Sequence, residues 1–182
     1  MRVFFCLELD REVRAALGRA VGELKRRIGT AKWVHRDSLH LTVRFIGEVD
    51  EPLVAELSRL GTETARAVSP FSFTLTRLGA FPSPRRARVI WAGPEEAPPG
   101  FLTLVGKVEA GVVGLGLPPE TKAASPHVTL ARLKPPRDIA AAIGGIVLPE
   151  IRVGVDSLTL MRSQLTPQGP IYTPLKRWQL GE

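Results

Sequence analysis

The sequence has almost no cysteine and no long apolar run. Cys6 is the only cysteine among 182 residues, so an intrachain disulfide and a zinc site built from thiolates are both excluded. No apolar stretch approaches the ~18 residues that a membrane-spanning helix needs. The first segment, MRVFFCLELD, turns acidic too early for a secretory signal. We therefore expect a cytoplasmic protein with no membrane partner.

The sequence also contains few acidic residues and only three histidines. Lys and Arg total 25 against 18 Asp and Glu, which gives a net charge of +7. Such an excess favours an anionic partner, and nucleic acid is the commonest partner of a basic soluble protein. A solvated basic surface would have the same composition, so the charge alone does not decide between the two.

The length and apolar content fit one globular domain. Hydrophobic residues make up 44% of the chain and charged residues 24%, which is ordinary for a soluble protein with a full core. Apolar periodicity and turn residues predict strands and helices in alternation. The segments that matter below are predicted strands at Arg2–Leu9, Phe71–Leu78 and Ile151–Met161, and predicted loops at Ala80–Ala87 and Leu165–Pro170.

One short pattern occurs twice, as HLTV at His40–Val43 and as HVTL at His127–Leu130. Each copy alternates polar and apolar residues, which is typical of a half-buried strand, so the histidine and the threonine share one face. A single copy would be unremarkable, since surface histidines and strand threonines are common. Two copies in the two halves of the chain predict two imidazoles and two hydroxyls around one anionic group.

This set of side chains suits cleavage of a phosphodiester. The reaction needs a base for the attacking oxygen and an acid for the leaving oxygen, and histidine does either near neutral pH. The hydroxyls of Thr42 and Thr129 can stabilise charge on the phosphate oxygens. Zinc binding is the competing chemistry, but no Asp or Glu shares a motif face to complete a ligand set. We predict a site without metal or cofactor.

Strict alternation along the motif strands makes further predictions. Arg44 falls on the face of His40, so it is predicted to line the cleft. Phe45 and Arg132 fall on the opposite face from their histidines, unless each strand twists or ends just after its motif. The loop with Arg85, Arg86 and Arg88 is a candidate for the cleft mouth. His35 belongs to no motif and is predicted to lie on the surface near the cleft.

The two motifs and their flanking segments resemble the 2H phosphoesterase superfamily, and within it the 2′-5′ RNA ligase or RNA 2′,3′-cyclic phosphodiesterase family. The matching stretches are MRVFFCLELD, HLTVRFIGEV, FPSPRRARVIWAG, PHVTLARL and LTLMRSQLTPQGPIY. The resemblance implies an α+β fold, bilobal, with two antiparallel sheets and outer helices. The lobes would be related by a pseudo-twofold axis across a central groove, within a single bilobal domain over residues 1–182.

The resemblance also implies a reaction. The substrate would be an RNA end with a 2′,3′-cyclic phosphate, opened by water to a 2′-phosphomonoester, and some members also join tRNA halves through a 2′-5′ bond. The implied roles are general acid for His40, general base for His127, and phosphate contacts for Thr42 and Thr129. Arg132 would contact the phosphate or the base, and Phe45 would stack on the terminal base. Because the motifs are alike, the sequence leaves the acid and base roles exchangeable. Ser163 and Tyr172 lie in matching segments without an implied role, and a monomer is expected.

Two alternatives stay open at this stage. The same residues could cleave a small cyclic nucleotide or an ADP-ribose cyclic phosphate, which a comparison of RNA and mononucleotide turnover would distinguish. The protein could also bind RNA without turnover, in which case alanine at His40 or His127 would leave RNA affinity intact with no rate to lose.

Overall fold

The computed structural model describes residues 1–182, folded into ten strands and four helices. The strands are β1 Arg2–Glu8, β2 Lys32–Trp33, β3 His40–Glu48, β4 Phe71–Leu75, β5 Arg77–Ser83, β6 Arg86–Gly93, β7 Val128–Arg137, β8 Ile151–Val155, β9 Ser157–Thr166 and β10 Gly169–Gln179. The helices are α1 Arg11–Ile28, α2 Glu51–Ala67, α3 Pro99–Gly114 and α4 Ala140–Gly144, and a 3-10 turn covers Arg36–Ser38.

The main sheet has eight antiparallel strands, with β2 paired to β7 and the others in the order β10-β9-β1-β3-β7-β6-β5. Its two motif strands are neighbours at the middle, where β3 meets β7 at one residue pair, Leu41 and Val128. We call this junction the seam. The strands β1, β3, β9 and β10 lie on one side of it and β2, β5, β6 and β7 on the other, so each side holds one motif.

The helices cover one face of the main sheet and leave the other face open. Along β1, Val3, Phe5 and Leu7 belong to the large core that contains the buried residues of α1, α2 and α3. Phe4 and Cys6 point the opposite way and form a small separate cluster with Met161. The predicted α+β class, with antiparallel sheets and outer helices, is confirmed, and the open face is available for a site.

Helices α1 and α2 begin where the sequence provides caps. The Asp10 carboxylate accepts a hydrogen bond from the backbone N–H of Val13, and the Asp50 carboxylate accepts one from that of Leu53. The end of the chain is tied to α2 because the indole N–H of Trp178, on β10, donates to the Thr62 hydroxyl at 2.9 Å.

Four of the predicted segments differ from the structure. Ala80–Ala87 is no loop, because β5 continues to Ser83 and β6 begins at Arg86 as a tight hairpin. Its Pro82 is tolerated because β5 is an edge strand of the sheet. Ile151–Met161 is two strands in two different sheets, since β8 pairs with β4 and β9 with β1. Phe71–Leu78 is likewise divided at Thr76 between β4 and β5.

The segment Leu165–Pro170, predicted as a loop, is mostly strand: β9 reaches Thr166, and β10 begins at Gly169 after a tight turn. No helix of the structure combines the length and the apolar character needed to cross a membrane.

Candidate active site

The two motif histidines lie side by side at the seam. His40 is the first residue of β3, and His127 directly precedes β7. Because Leu41 pairs with Val128 and the strands are antiparallel, each histidine lies next to the threonine of the other motif. The charge of His127 lowers the pKa of His40, in addition to the larger effect of burial, so the two rings share one electrostatic environment.

Each imidazole is fixed by the same backbone hydrogen bond. Nδ1 of His40 lies 2.8 Å from the carbonyl oxygen of Ser38, and Nδ1 of His127 lies 2.7 Å from that of Ser125. A carbonyl only accepts, so Nδ1 carries the proton in both rings and Nε2 is left to react. Nε2 of His40 lies 3.2 Å from the Thr42 hydroxyl. Sequence reasoning missed this feature, because a backbone carbonyl acceptor leaves no signal in the residue type.

Aromatic rings form the walls beside both histidines. Phe4 and Tyr172 lie 5.0 and 5.1 Å from the His40 ring, and Phe81 contacts the His127 ring edge-on at 5.1 Å. These rings come from β1, β10 and β5, far from the motifs along the chain. Tyr172 therefore has a structural place in the site that its sequence segment did not reveal.

Burial in the site shifts the pKa values of both histidines. Burial lowers the pKa of both His40 and His127, and the positive charge of Arg132 lowers both further. The hydrogen bonds to Ser38 and Ser125 act in the opposite direction but do not outweigh burial. Both imidazoles are therefore neutral at pH 7 in the free protein. Burial also raises the pKa of Tyr172, so its side chain stays a phenol.

A β-bulge directly after the first motif changes which residues face the cleft. Thr42 pairs with Cys6 and Arg44 pairs with Phe5, which leaves Val43 as an extra residue on β3. Val43 and Arg44 thus both point to the helix-covered face, and Phe45 returns to the open face opposite Phe4. Phe45 is 42% exposed there, with the guanidinium of Arg2 4.7 Å from its ring centroid.

The second motif strand has a β-bulge at the equivalent position. Thr129 pairs with Trp91 and Ala131 pairs with Ile90, which leaves Leu130 as the extra residue on β7. Arg132 is thereby turned to the face of Thr129, and its charge acts on His40, His127 and Tyr172. Phe45 and Arg132 each follow their histidine by five residues, so they occupy equivalent places on the two sides of the seam.

The prediction that Arg44 lines the cleft is wrong, because the bulge turns it to the helices. Its Nε donates to the Glu109 carboxylate on α3 at 2.5 Å, and its Nη2 donates to the carbonyl oxygen of Pro118 at 2.6 Å. Glu109 in turn accepts from the backbone N–H of Glu120. Arg44 thus braces the segment that leads from α3 to the second motif.

The other residues singled out in the sequence lie outside the pair of motifs. Ser163 is buried on β9, opposite Arg2 and Tyr172. Arg85 and Arg86 lie exposed at the turn of the β5–β6 hairpin. His35 is exposed on the surface just before the 3-10 turn. Nowhere do three His, Cys, Asp or Glu side chains come together as a metal ligand set.

Fold and site together define a class of protein: an α+β architecture with two histidines and two threonines at the junction of two half-sheets. A comparison with protein families finds the LigT-like phosphoesterase model twice in the chain, over residues 7–91 and 92–172, and each match contains one motif. The chain belongs to this family. The family expected from the motifs is therefore confirmed.

Individual relatives match this chain over nearly its full length. An RNA 2′,3′-cyclic phosphodiesterase from Methanothermobacter thermautotrophicus is 34% identical, covering 99% of both chains. One of the same name from Thermus thermophilus is 37% identical over 99% of this chain and 90% of its own. Among solved structures, one of a Thermus thermophilus protein superposes with a TM-score of 0.82 at 34% identity, covering 100% of this chain and 98% of its own.

Proposed function

We propose that the protein is a metal-independent RNA 2′,3′-cyclic phosphodiesterase that opens the cyclic end to a 2′-phosphomonoester. The observation that carries this proposal is the matched pair of histidines, each with Nδ1 bound to a backbone carbonyl and Nε2 left to react. Nε2 of His40 also lies beside the Thr42 hydroxyl. The names of the full-length relatives in this family support the same substrate.

The proposed step is an in-line displacement at phosphorus. Nε2 of neutral His127 takes a proton from water, and the water oxygen forms a bond to phosphorus. The P–O3′ bond breaks, and Nε2–H of protonated His40 gives its proton to O3′. The products are a 2′-phosphomonoester and a free 3′-hydroxyl, with one proton moved from His40 to the product and one from water to His127.

Other residues are proposed to hold the substrate. The hydroxyls of Thr42 and Thr129 and the guanidinium of Arg132 would bind the non-bridging oxygens, where negative charge builds in the transition state. Phe45 would stack on the terminal base, an interaction worth ~1–3 kcal/mol per base. The support for both Phe45 and Arg132 is their position on the face of the histidines, which the two bulges create.

The same geometry admits a second nucleophile. If the 5′-hydroxyl of a tRNA half replaced water, base catalysis by His127 would give a 2′-5′ bond instead of a phosphomonoester. We propose this reversible ligation as a side reaction, with the cytoplasm, where RNA ends are processed, as the place of action.

The proposal is tested by product analysis. The purified protein is incubated with EDTA and an RNA oligomer that ends in a 2′,3′-cyclic phosphate, and the product end is mapped. A 2′-phosphate is the expected product. A 3′-phosphate would reverse the leaving oxygen and contradict the roles given to the two histidines. Turnover of a cyclic mononucleotide but not of the oligomer would support the small-molecule alternative instead, and binding without turnover would support the RNA-binding alternative.

A further inference from the structure

A second basic site lies next to the candidate active site but is not part of it. A surface cleft of about 470 Å³ is lined by five residues and no hydrophobic one, namely Arg11, Arg14, His35, Arg36 and Asp37. We call it the arginine cleft. None of these residues belongs to the motifs, and the mechanism above uses none of them.

The arginine cleft has an unbalanced charge. Its three guanidinium groups form no ion pair and no hydrogen bond within the chain, whereas Arg44, Arg137 and Arg177 all have partners. Asp37 is the only acidic residue of the cleft, and its carboxylate lies 3.8 Å from Nδ1 of His35. Asp37 offsets one of the three positive charges, and an anion bound between the guanidinium groups would reduce the repulsion that remains. Guanidinium groups match phosphate in particular, since they can donate two parallel hydrogen bonds.

The fold brings these residues together from two segments. Arg11 and Arg14 stand three residues apart at the start of α1 and therefore share one side of the helix. The Asp10 carboxylate caps this helix end by accepting from the Val13 N–H, so the positive charge of the region comes from the arginine side chains. Arg36 belongs to the 3-10 turn, which packs on α1 so closely that a Cβ on Gly18 would lie 3.7 Å from the Arg36 Cδ.

The arginine cleft lies at the end of the sheet that carries His40. The turn that carries Arg36 continues directly into His40, and its Ser38 carbonyl holds the His40 ring. Four residues span at most ~14 Å, so the Cα atoms of Arg36 and His40 lie within that distance. Arg11 follows Glu8 by three residues, and Glu8 is the strand partner of His40. Cleft and catalytic histidine thus lie at the same end of β1 and β3.

We propose that the arginine cleft binds a backbone phosphate of the RNA strand, a few nucleotides from the cyclic end. This inference rests on the proposed function and deepens it, because it names the part of the substrate that a mononucleotide lacks. Phosphate contacts carry no sequence information but add affinity and fix the position of the strand. The cleft therefore gives RNA ends an advantage over small cyclic nucleotides as substrates.

The test compares two substrates across matched variants. The double variant Arg11→Gln/Arg14→Gln and the single variant Arg36→Gln are assayed with a cyclic-phosphate RNA oligomer and with a 2′,3′-cyclic mononucleotide. Arg19→Gln is the control, since Arg19 is exposed on the same helix, outside the cleft, and forms no ion pair. For the oligomer, we expect kcat/KM of the double variant to fall roughly ten-fold or more. The salt dependence of oligomer affinity should weaken by about 0.7 in log–log slope for each phosphate that the variant no longer neutralises.

For the mononucleotide, kcat/KM should stay at the native value in every variant. Unchanged oligomer turnover in the cleft variants would overturn the inference, and so would an equal loss on both substrates, which would mean that the arginines act through the fold around His40. If the native protein cleaves neither substrate, the proposed function fails, and the arginine cleft is then tested by oligomer binding alone. In that assay Arg11→Gln/Arg14→Gln must weaken affinity and Arg19→Gln must not.

Discussion

At the scale of single residues, the site is defined by how each histidine is held. The carbonyls of Ser38 and Ser125 fix both rings in the same tautomer, with Nε2 toward the cleft. Burial keeps both rings neutral at pH 7, yet acid–base catalysis needs one of them protonated. The pH dependence of the rate therefore reports directly on these two residues.

The first prediction concerns that pH dependence. Because both pKa values are lowered from 6.5, the active form of the free enzyme, with one ring protonated, is most abundant below pH 6.5. We expect kcat/KM to follow a bell-shaped profile with its maximum below that pH. A bound anionic substrate stabilises the protonated imidazoles and so raises their pKa values. The pH profile of kcat should therefore be displaced to higher pH. A kcat/KM profile that keeps rising through pH 8 would contradict this account.

The second prediction concerns the threonine hydroxyls. Thr42→Val and Thr129→Val keep the strand-forming shape and remove one donor to the phosphate, so each should lower kcat by about ten- to a hundred-fold. Thr→Ser at the same positions keeps the hydroxyl and should retain most of the rate. Rates are measured on the cyclic-phosphate oligomer under saturating conditions. Equal losses in the valine and serine variants would assign the threonines to packing and not to the phosphate.

At the scale of elements, the two bulges decide which side chains reach the cleft. One extra residue directly after the threonine of each motif, Val43 or Leu130, shifts the alternation so that Phe45 and Arg132 face the site. The helices pack against the opposite face of the sheet and so support the open face. The contact of α2 with β10 is especially close, because the Trp178 ring lies against Gly61.

The third prediction concerns this helix–sheet contact. A Cβ on Gly61 would overlap the ring carbons of Trp178, so Gly61→Ala must displace the indole and should destabilise the fold by about 1–3 kcal/mol. Gly22→Ala is the matched control, since Gly22 is also helical and a Cβ there meets nothing within 4 Å. It should stabilise the protein by about 0.5–1 kcal/mol. Unfolding in urea measures both, and a stable Gly61→Ala would mean that β10 does not depend on this packing.

At the scale of the whole molecule, the chain crosses between the two sides of the seam and then returns. Strands β9 and β10 come last in the sequence but complete the sheet of the first motif beside β1. The hydrogen bonds of Arg44 to Glu109 and to the Pro118 carbonyl, which we call the Arg44 brace, link β3 to α3 and to the segment before β7. They therefore connect the surroundings of the two motifs.

The fourth prediction concerns this brace. Arg44→Leu leaves the Glu109 carboxylate without its partner and should cost about 1–3 kcal/mol of unfolding free energy at pH 7. Burial raises the pKa of Glu109, but the hydrogen bonds from Arg44 and the Glu120 backbone lower it by more. A carboxyl group whose pKa is lowered by folding stabilises the fold at pH values above its ordinary pKa. This stabilisation is lost as the pH falls through the lowered pKa.

The difference between the native protein and Arg44→Leu should therefore shrink in acid, below the ordinary Glu109 pKa of 4.5. Glu109→Gln serves as the comparison, because its amide oxygen can still accept from the Glu120 N–H. Thermal unfolding at several pH values measures the effect, and a difference that does not vary with pH would contradict it.

The sequence predicts the placement of the motif residues well, because this placement needs only local alternation. His40 with Thr42 and His127 with Thr129 share a face in any strand. Arg44, Phe45 and Arg132 could not be placed in this way, since a bulge depends on how the neighbouring strand pairs. Phe4, Tyr172 and Phe81 were missed as walls because their strands meet the motifs only through the topology of the sheet. The α+β class followed from the family resemblance, whereas the division of 151–161 between two sheets required the structure.

The roles of the two histidines are best decided by the single-turnover rates of His40→Ala and His127→Ala on the cyclic-phosphate RNA oligomer, with EDTA present. Both variants should lose about 10²- to 10⁴-fold in rate relative to the native protein, because each removes one proton-transfer group. Oligomer binding should be retained, which shows that the loss is catalytic. A native-like rate in either variant would contradict the assignment of the two motif histidines as acid and base.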